Sequence, residues 1–91
     1  MNIRYVERLY RQANELRLEG VYLVAANIYL IVMVLANQTR SSKRFDIRYY
    51  AYSLVLVCSE VIMADPFSSH SDRMEANRII KECHLLFREG I

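Results

Sequence analysis

From Val21 to Ala36 the chain reads VYLVAANIYLIVMVLA, and Asn27 is its only polar residue. A helix built from this run is apolar on nearly every side, so it needs cover all round, either from other protein or from lipid. Ninety-one residues are too few for a deep interior. What covers this helix therefore decides both fold and function. The run is sixteen residues, about 24 Å of helix, against a hydrocarbon core of about 30 Å that usually takes ~20 residues. Glu19 and Gln38 fence it in.

The remaining sequence predicts an all-α single domain over residues 1–91, with four helices in two antiparallel hairpins. Two glycines, one proline and a hydrophobic share of 54% favour helices over a sheet. The first helix, about 3–18, starts after Asn2 as N-cap and sets Ile3, Val6, Leu9, Tyr10, Ala13 and Leu16 on one face. Glu7 and Arg11 stand in the favourable i,i+4 order on its other face. Gly20 supplies a left-handed cap, and the second helix, about 21–37, must fold straight back. After the polar loop QTRSSKRFD, with Ser41 and Ser42 as candidate caps, the third helix runs 43–64 and stops before Pro66. Asp46, Ser53 and Glu60 recur every seven residues on it as one narrow polar stripe, and Glu60 reads as a buried acid needing an Arg or Tyr partner. The fourth helix, about 72–88, is expected to start at Asp72 with Glu75 as its return partner, Ser69 and Ser71 being rival caps. It carries Ala76, Ile80, Cys83 and Phe87 on one face, and Gly90 closes it.

Charge and composition narrow the function classes. A net charge of +2 does not describe a protein built around nucleic acid. The basic segment Arg40, Lys43, Arg44 and Arg48 beside Tyr49 and Tyr50 reads as a solvated loop and helix end rather than a base-stacking site. Cys58 and Cys83 sit in apolar helical patterns and suit a reducing, cytoplasmic setting. The N-terminal MNIRYVERLYRQ is charged and periodic, unlike a signal peptide. Cys83 and His84 are adjacent on a helix and point about 100° apart, so no close pair of zinc ligands is formed with Cys58 or His70. No catalytic residue, metal or cofactor is expected, and the chain reads as a non-enzyme.

The first hairpin, LYRQANELRLEGVYLVAANIYLIVMVLAN, resembles a tetratricopeptide repeat. Leu9 stands at the usual Trp position, Ala13 at the small one, and Leu16, Gly20, Tyr22, Ala25 and Tyr29 follow in register. Val32 and Asn37 replace the usual Ala and Pro, and Gln12 occupies a normally apolar position. In the second hairpin only Ala76, Ile80 and Cys83 keep the offsets. In size and helix plan the chain is similar to the small TPR-like cochaperones of type III secretion needle subunits. That resemblance implies a cytoplasmic holdase, working with a second small helical protein, that keeps the needle subunit unpolymerised.

A groove that receives an amphipathic helix would draw on the first helix of each pair. This points to Tyr10, Asn14 and Arg17 from helix one and Tyr49, Tyr52 and Leu56 from helix three. Leu23, Leu30 and Val34, on the far side of helix two, must lie against helix three, helix four or a partner. The expected partner is another protein, in a homo- or hetero-oligomer, with no nucleic acid. Two other readings of the same apolar surface stand beside this one. One is a two-span membrane hairpin with Arg40, Lys43, Arg44 and Arg48 in a positive inside loop, which Ser53, Ser59 and Glu60 oppose. The other is a phage- or plasmid-type inhibitor that blocks a host protein.

Overall fold

A computed structural model describes residues 2–89. It is all-α: α1 (Ile3–Leu18), α2 (Tyr22–Ala36), α3 (Lys43–Ala64) and α4 (His70–Glu89). The expected closure by Gly90 lies outside the described residues.

Local chemistry sets most of the helix ends. Asn2 caps α1 by accepting from the Arg4 amide at 2.9 Å. At its other end Gly20 takes φ +83°, while the Gly20 amide donates to the Arg17 carbonyl and the Val21 amide to that of Leu16. These two bonds close a Schellman turn, which needs a left-handed residue at Gly20. The next helix starts within two residues, so α1 and α2 are forced antiparallel. α2 is one residue shorter at each end than the expected 21–37, because Val21 is used in this turn and Asn37 in the cap that follows.

In the second connection one of the two candidate serines acts as the cap, and in the third the rival Ser69 does. Ser42 occupies the N-cap position of α3 without a side-chain bond, and it is Ser41 Oγ that accepts, from the Lys43 amide at 3.2 Å. Thr39 is buried in this loop, donating to the Ala36 carbonyl, and its own carbonyl takes Arg44 Nη1 at 2.6 Å. α3 ends at Asp65, extended before Pro66. α4 then starts at His70, not at Asp72. Ser69 Oγ accepts from the Asp72 amide at 3.0 Å and so wins over Ser71 and Asp72, while Arg73 Nη2 reaches back to the Asp65 carbonyl at 2.8 Å. Glu75 does not return to the cap. It pairs with Arg78, which also pairs with Glu82 one turn on.

α2 packs against all three other helices, whereas α1 and α4 make no contact with each other among the described residues. The result is a slab, with Cα extents of 41 × 26 × 15 Å, rather than a cylinder around one axis. α2 and α3 share the largest contact, and the buried side chains of the two helices include Ala25, Ala26, Tyr29, Val32, Met33 and Ala36 from α2 and Ala51, Val55, Cys58 and Ile62 from α3. Alanines at these positions bring the helix axes close, so that larger neighbours interlock. From the flanks come Val6 and Ala13 of α1 and Ala76, Ile79 and Cys83 of α4. Ile79, rather than Ile80, is the fully buried isoleucine of α4. Cys83 sets the phase, with its Sγ 3.9 Å from Met33 Sδ, and Ile79 lies one turn before it on that line.

Two expected ion contacts do not form. Glu7 reaches Lys43 Nζ on α3 at 3.9 Å instead of Arg11, and so ties α1 to the start of α3. Glu60 is exposed, not buried, and no ion pair with it is present among the described residues.

Candidate protein-docking surface

The apolar run that opened the question is covered only in part. Val24, Ile31 and Val34 of α2 stay exposed, and α3 is barer still. Three sides of α3 are engaged. Ala51, Val55, Cys58 and Ile62 face α2, Lys43 points to Glu7 of α1, and Tyr52 meets α4. At 100° per residue the fourth side is centred on Asp46, Ser53 and Glu60. Flanking this stripe are Phe45, Tyr49, Leu56 and Met63 on the α4 edge, with Tyr50, Val57 and Val61 on the α1 edge. Tyr49, Tyr50, Val57 and Met63 are between 44% and 57% exposed, far beyond the scattered apolar exposure that needs no explanation. The face is over 20 Å long, and along its midline Asp46 and Glu60 are exposed and Ser53 is half-buried.

Of the nine residues expected to bind a partner, the structure brings together two on this face, Tyr49 and Leu56. Tyr52 is turned away from it. Its ring stacks on Phe87 at 4.1 Å and 15°, and its hydroxyl lies 2.9 Å from His84 Nδ1. Arg48 completes this stack, its guanidinium 4.8 Å over the other side of Phe87. Three tyrosines within four positions all look alike in sequence, and only the α4 partners, more than thirty residues away, select Tyr52 for the contact between α3 and α4.

Tyr10, Asn14 and Arg17 form a structural knot around Tyr29. The Tyr29 hydroxyl donates to Asn14 Oδ1 at 2.5 Å and accepts from Arg17 Nε at 3.1 Å, while the Tyr10 ring packs on it at 5.9 Å. Burial raises the Tyr29 pKa, with Arg17 opposing, and the bond to Tyr29 raises that of Arg17. Here a buried hydroxyl is satisfied by two half-buried partners, and the knot joins α1 to α2.

Leu30 and Val34 belong to a second, separate surface. With Asn27, Ile31 and Leu86 they line an open cleft of about 270 Å³ between α2 and α4, rimmed by Arg78 and Glu82. Leu30 is only 6% exposed at its floor. Leu23 lies at the opposite end of α2, in a depression with Val61, Ile62 and Asp72. Asn27 donates to the Leu23 carbonyl at 3.0 Å.

The chemistry-bearing side chains are quiet. Burial pushes the Cys58 thiol up to about 11 and that of Cys83 up to about 12, which keeps both protonated and unreactive near neutrality. No group of three or more His, Cys, Asp or Glu that could hold a metal ion is found among the described residues. Three of the four basic side chains engage other parts of the fold, Lys43 on Glu7, Arg44 on the Thr39 carbonyl and over Phe45, and Arg48 over Phe87.

Sequence reasoning missed Tyr50, Val57 and Met63, although the signal was present. The seven-residue stripe of Asp46, Ser53 and Glu60 marks the outward side of α3, and the apolar residues beside the stripe are the exposed ones. Compared with known protein families, curated proteins and solved structures, the chain matches none.

Proposed function

We propose that this chain is a protein-binding module that holds an amphipathic helix of a partner against the outer face of α3. The observation that carries the reading is that face itself, with two exposed apolar ridges along a helix whose other three sides are packed. A docked helix would set i, i+3, i+4 and i+7 anchors into the ridges and bury aromatic area at Tyr49 and Tyr50. The contacts support a hairpin-on-hairpin plan, since α1 touches both α2 and α3, and α4 touches both α3 and α2. Two buried, unpaired thiols suit work in the cytoplasm. The more specific form is a holdase for a type III secretion needle subunit, which rests on size, helix plan and surplus apolar surface.

The test is a titration of the ¹⁵N-labelled chain with an uncharged amphipathic helical peptide. Shifts concentrated on the outer residues of 45–64 are expected. No shifts at millimolar peptide would refute the module reading. For the specific form, co-expression with a needle subunit should give a soluble complex, and an insoluble needle subunit would remove it.

One observation favours a second reading. α3, at 22 residues with a best-window mean hydropathy of 1.3, is long and apolar enough to cross a membrane by length and composition. A two-span hairpin would also need α2, whose 15 residues make about 22 Å of helix against a core of about 30 Å. It would also draw Asp46 or Glu60, each about 10 Å from the middle of α3, toward a core where a charge at the centre costs about 2.5 kcal/mol or more. Recovery of the chain without detergent decides between the two.

A further inference from the structure

We infer that the occupant of the α3 face is a helix of a different protein, carrying Lys or Arg at two positions fourteen residues apart. The inference rests on the docking reading above and specifies its chemistry. Along the face, Asp46, Ser53 and Glu60 repeat at seven residues, so they occupy one seam of a coiled-coil-like surface with apolar residues on either side. In such seams the polar positions choose the partner. Asp46 and Glu60 are both exposed, and neither forms an ion pair among the described residues. Asp46 lies in the first turn, where the helix dipole favours an acid. Glu60 has no such support near the C-terminal end. Ser53 makes no demand, because its hydroxyl already donates to the Tyr49 carbonyl at 3.1 Å. Of the nearby basic side chains, Lys43 turns to Glu7 at 3.9 Å, and Arg44 and Arg48 are held by Thr39 and Phe87, so none of them pairs with Asp46 or Glu60.

Self-pairing meets this pattern badly. Two parallel copies in register set Asp46 against Asp46 and Glu60 against Glu60. Two antiparallel copies crossing at Ser53 set Asp46 against Glu60 at both ends. Both arrangements oppose like charges at two of three layers, and a slip by one heptad removes a third of the contact. A basic partner satisfies both acids in register.

Three 21-residue helical peptides of identical apolar pattern, with Lys, Gln or Glu at the two positions, are titrated against the full chain by fluorescence anisotropy. The Lys peptide is expected to bind about tenfold tighter than the Gln peptide, and the Glu peptide weakest. Asp46→Lys/Glu60→Lys, at exposed positions and with its helicity checked by circular dichroism, should invert the order. Equal binding of all three would overturn the charge inference and leave helix docking standing. Binding of none to a monomeric chain would overturn both. A stable homodimer that Val57→Lys dissociates would overturn the inference in favour of a second copy.

Discussion

Tyr29→Phe isolates the knot that fastens α1 to α2. The ring of Tyr29 is fully buried, and phenylalanine fills the same space, so no cavity term enters. What is lost is one bond to a neutral amide, Asn14, and one from a guanidinium, Arg17. A neutral hydrogen bond contributes about 1 kcal/mol net and one to a charged group about 1.5–3 kcal/mol. Asn14 and Arg17 are half-buried, so water recovers part of both bonds, and the variant should lose about 2 kcal/mol. For a domain of this size that lowers Tm by about 8–16 °C. Urea unfolding followed by circular dichroism measures it, with the midpoint shifting at constant slope. Arg17→Met alone and combined with Tyr29→Phe completes a cycle, and the two should couple by about 1 kcal/mol. A loss under about 0.5 kcal/mol for Tyr29→Phe would refute the reasoning, because the hydroxyl would then contribute no more than an exposed one.

Two further predictions follow from other parts of the fold. Gly20→Ala should cost about 1 kcal/mol in the same urea assay, although a methyl there meets nothing within 4 Å, because φ +83° is strained for any L side chain. Stability should fall in alkali. Cys58 and Cys83 titrate higher when folded, at about 11 and about 12 against 9.0, so their contribution is complete below about pH 9 and is lost as pH rises through the folded values. The ceiling is about 3 and about 4 kcal/mol. Unfolding midpoints from pH 8 to 11.5 should therefore decline, and Cys83→Ala should flatten that decline despite its lower starting stability.

The sequence spoke clearly where local chemistry acts alone. Asn2, Gly20 and Pro66 each end or start a helix by a mechanism contained in a few neighbouring residues, and both bounds of α1 and the end of α3 follow from them. The start of α4 did not, because Ser69, Ser71 and Asp72 offer equivalent caps in one short stretch. The bond from Arg73 to the Asp65 carbonyl, across the loop, accompanies the choice of Ser69. Helices α2 and α3 hid their orientation for a different reason. A helix apolar on all sides has no periodicity to read, so the exposed side of α2 was invisible. On α3 the polar stripe marked the outward side, yet Glu60 on that stripe read as a buried acid because its neighbours are apolar. Asn14 and Arg17 read as a binding edge for want of the one fact that Tyr29, twelve to fifteen residues on, turns its hydroxyl between them.

The most direct test of the docking face is the solution mass of the chain expressed alone without detergent, measured by light scattering. An acidic seam that opposes self-pairing predicts a monomer of 10.8 kDa that stays in solution and keeps its mass when Val57 is changed to Lys. Recovery only in detergent, or a tight dimer that Val57→Lys splits, would contradict the claim that α3 waits for the helix of another protein.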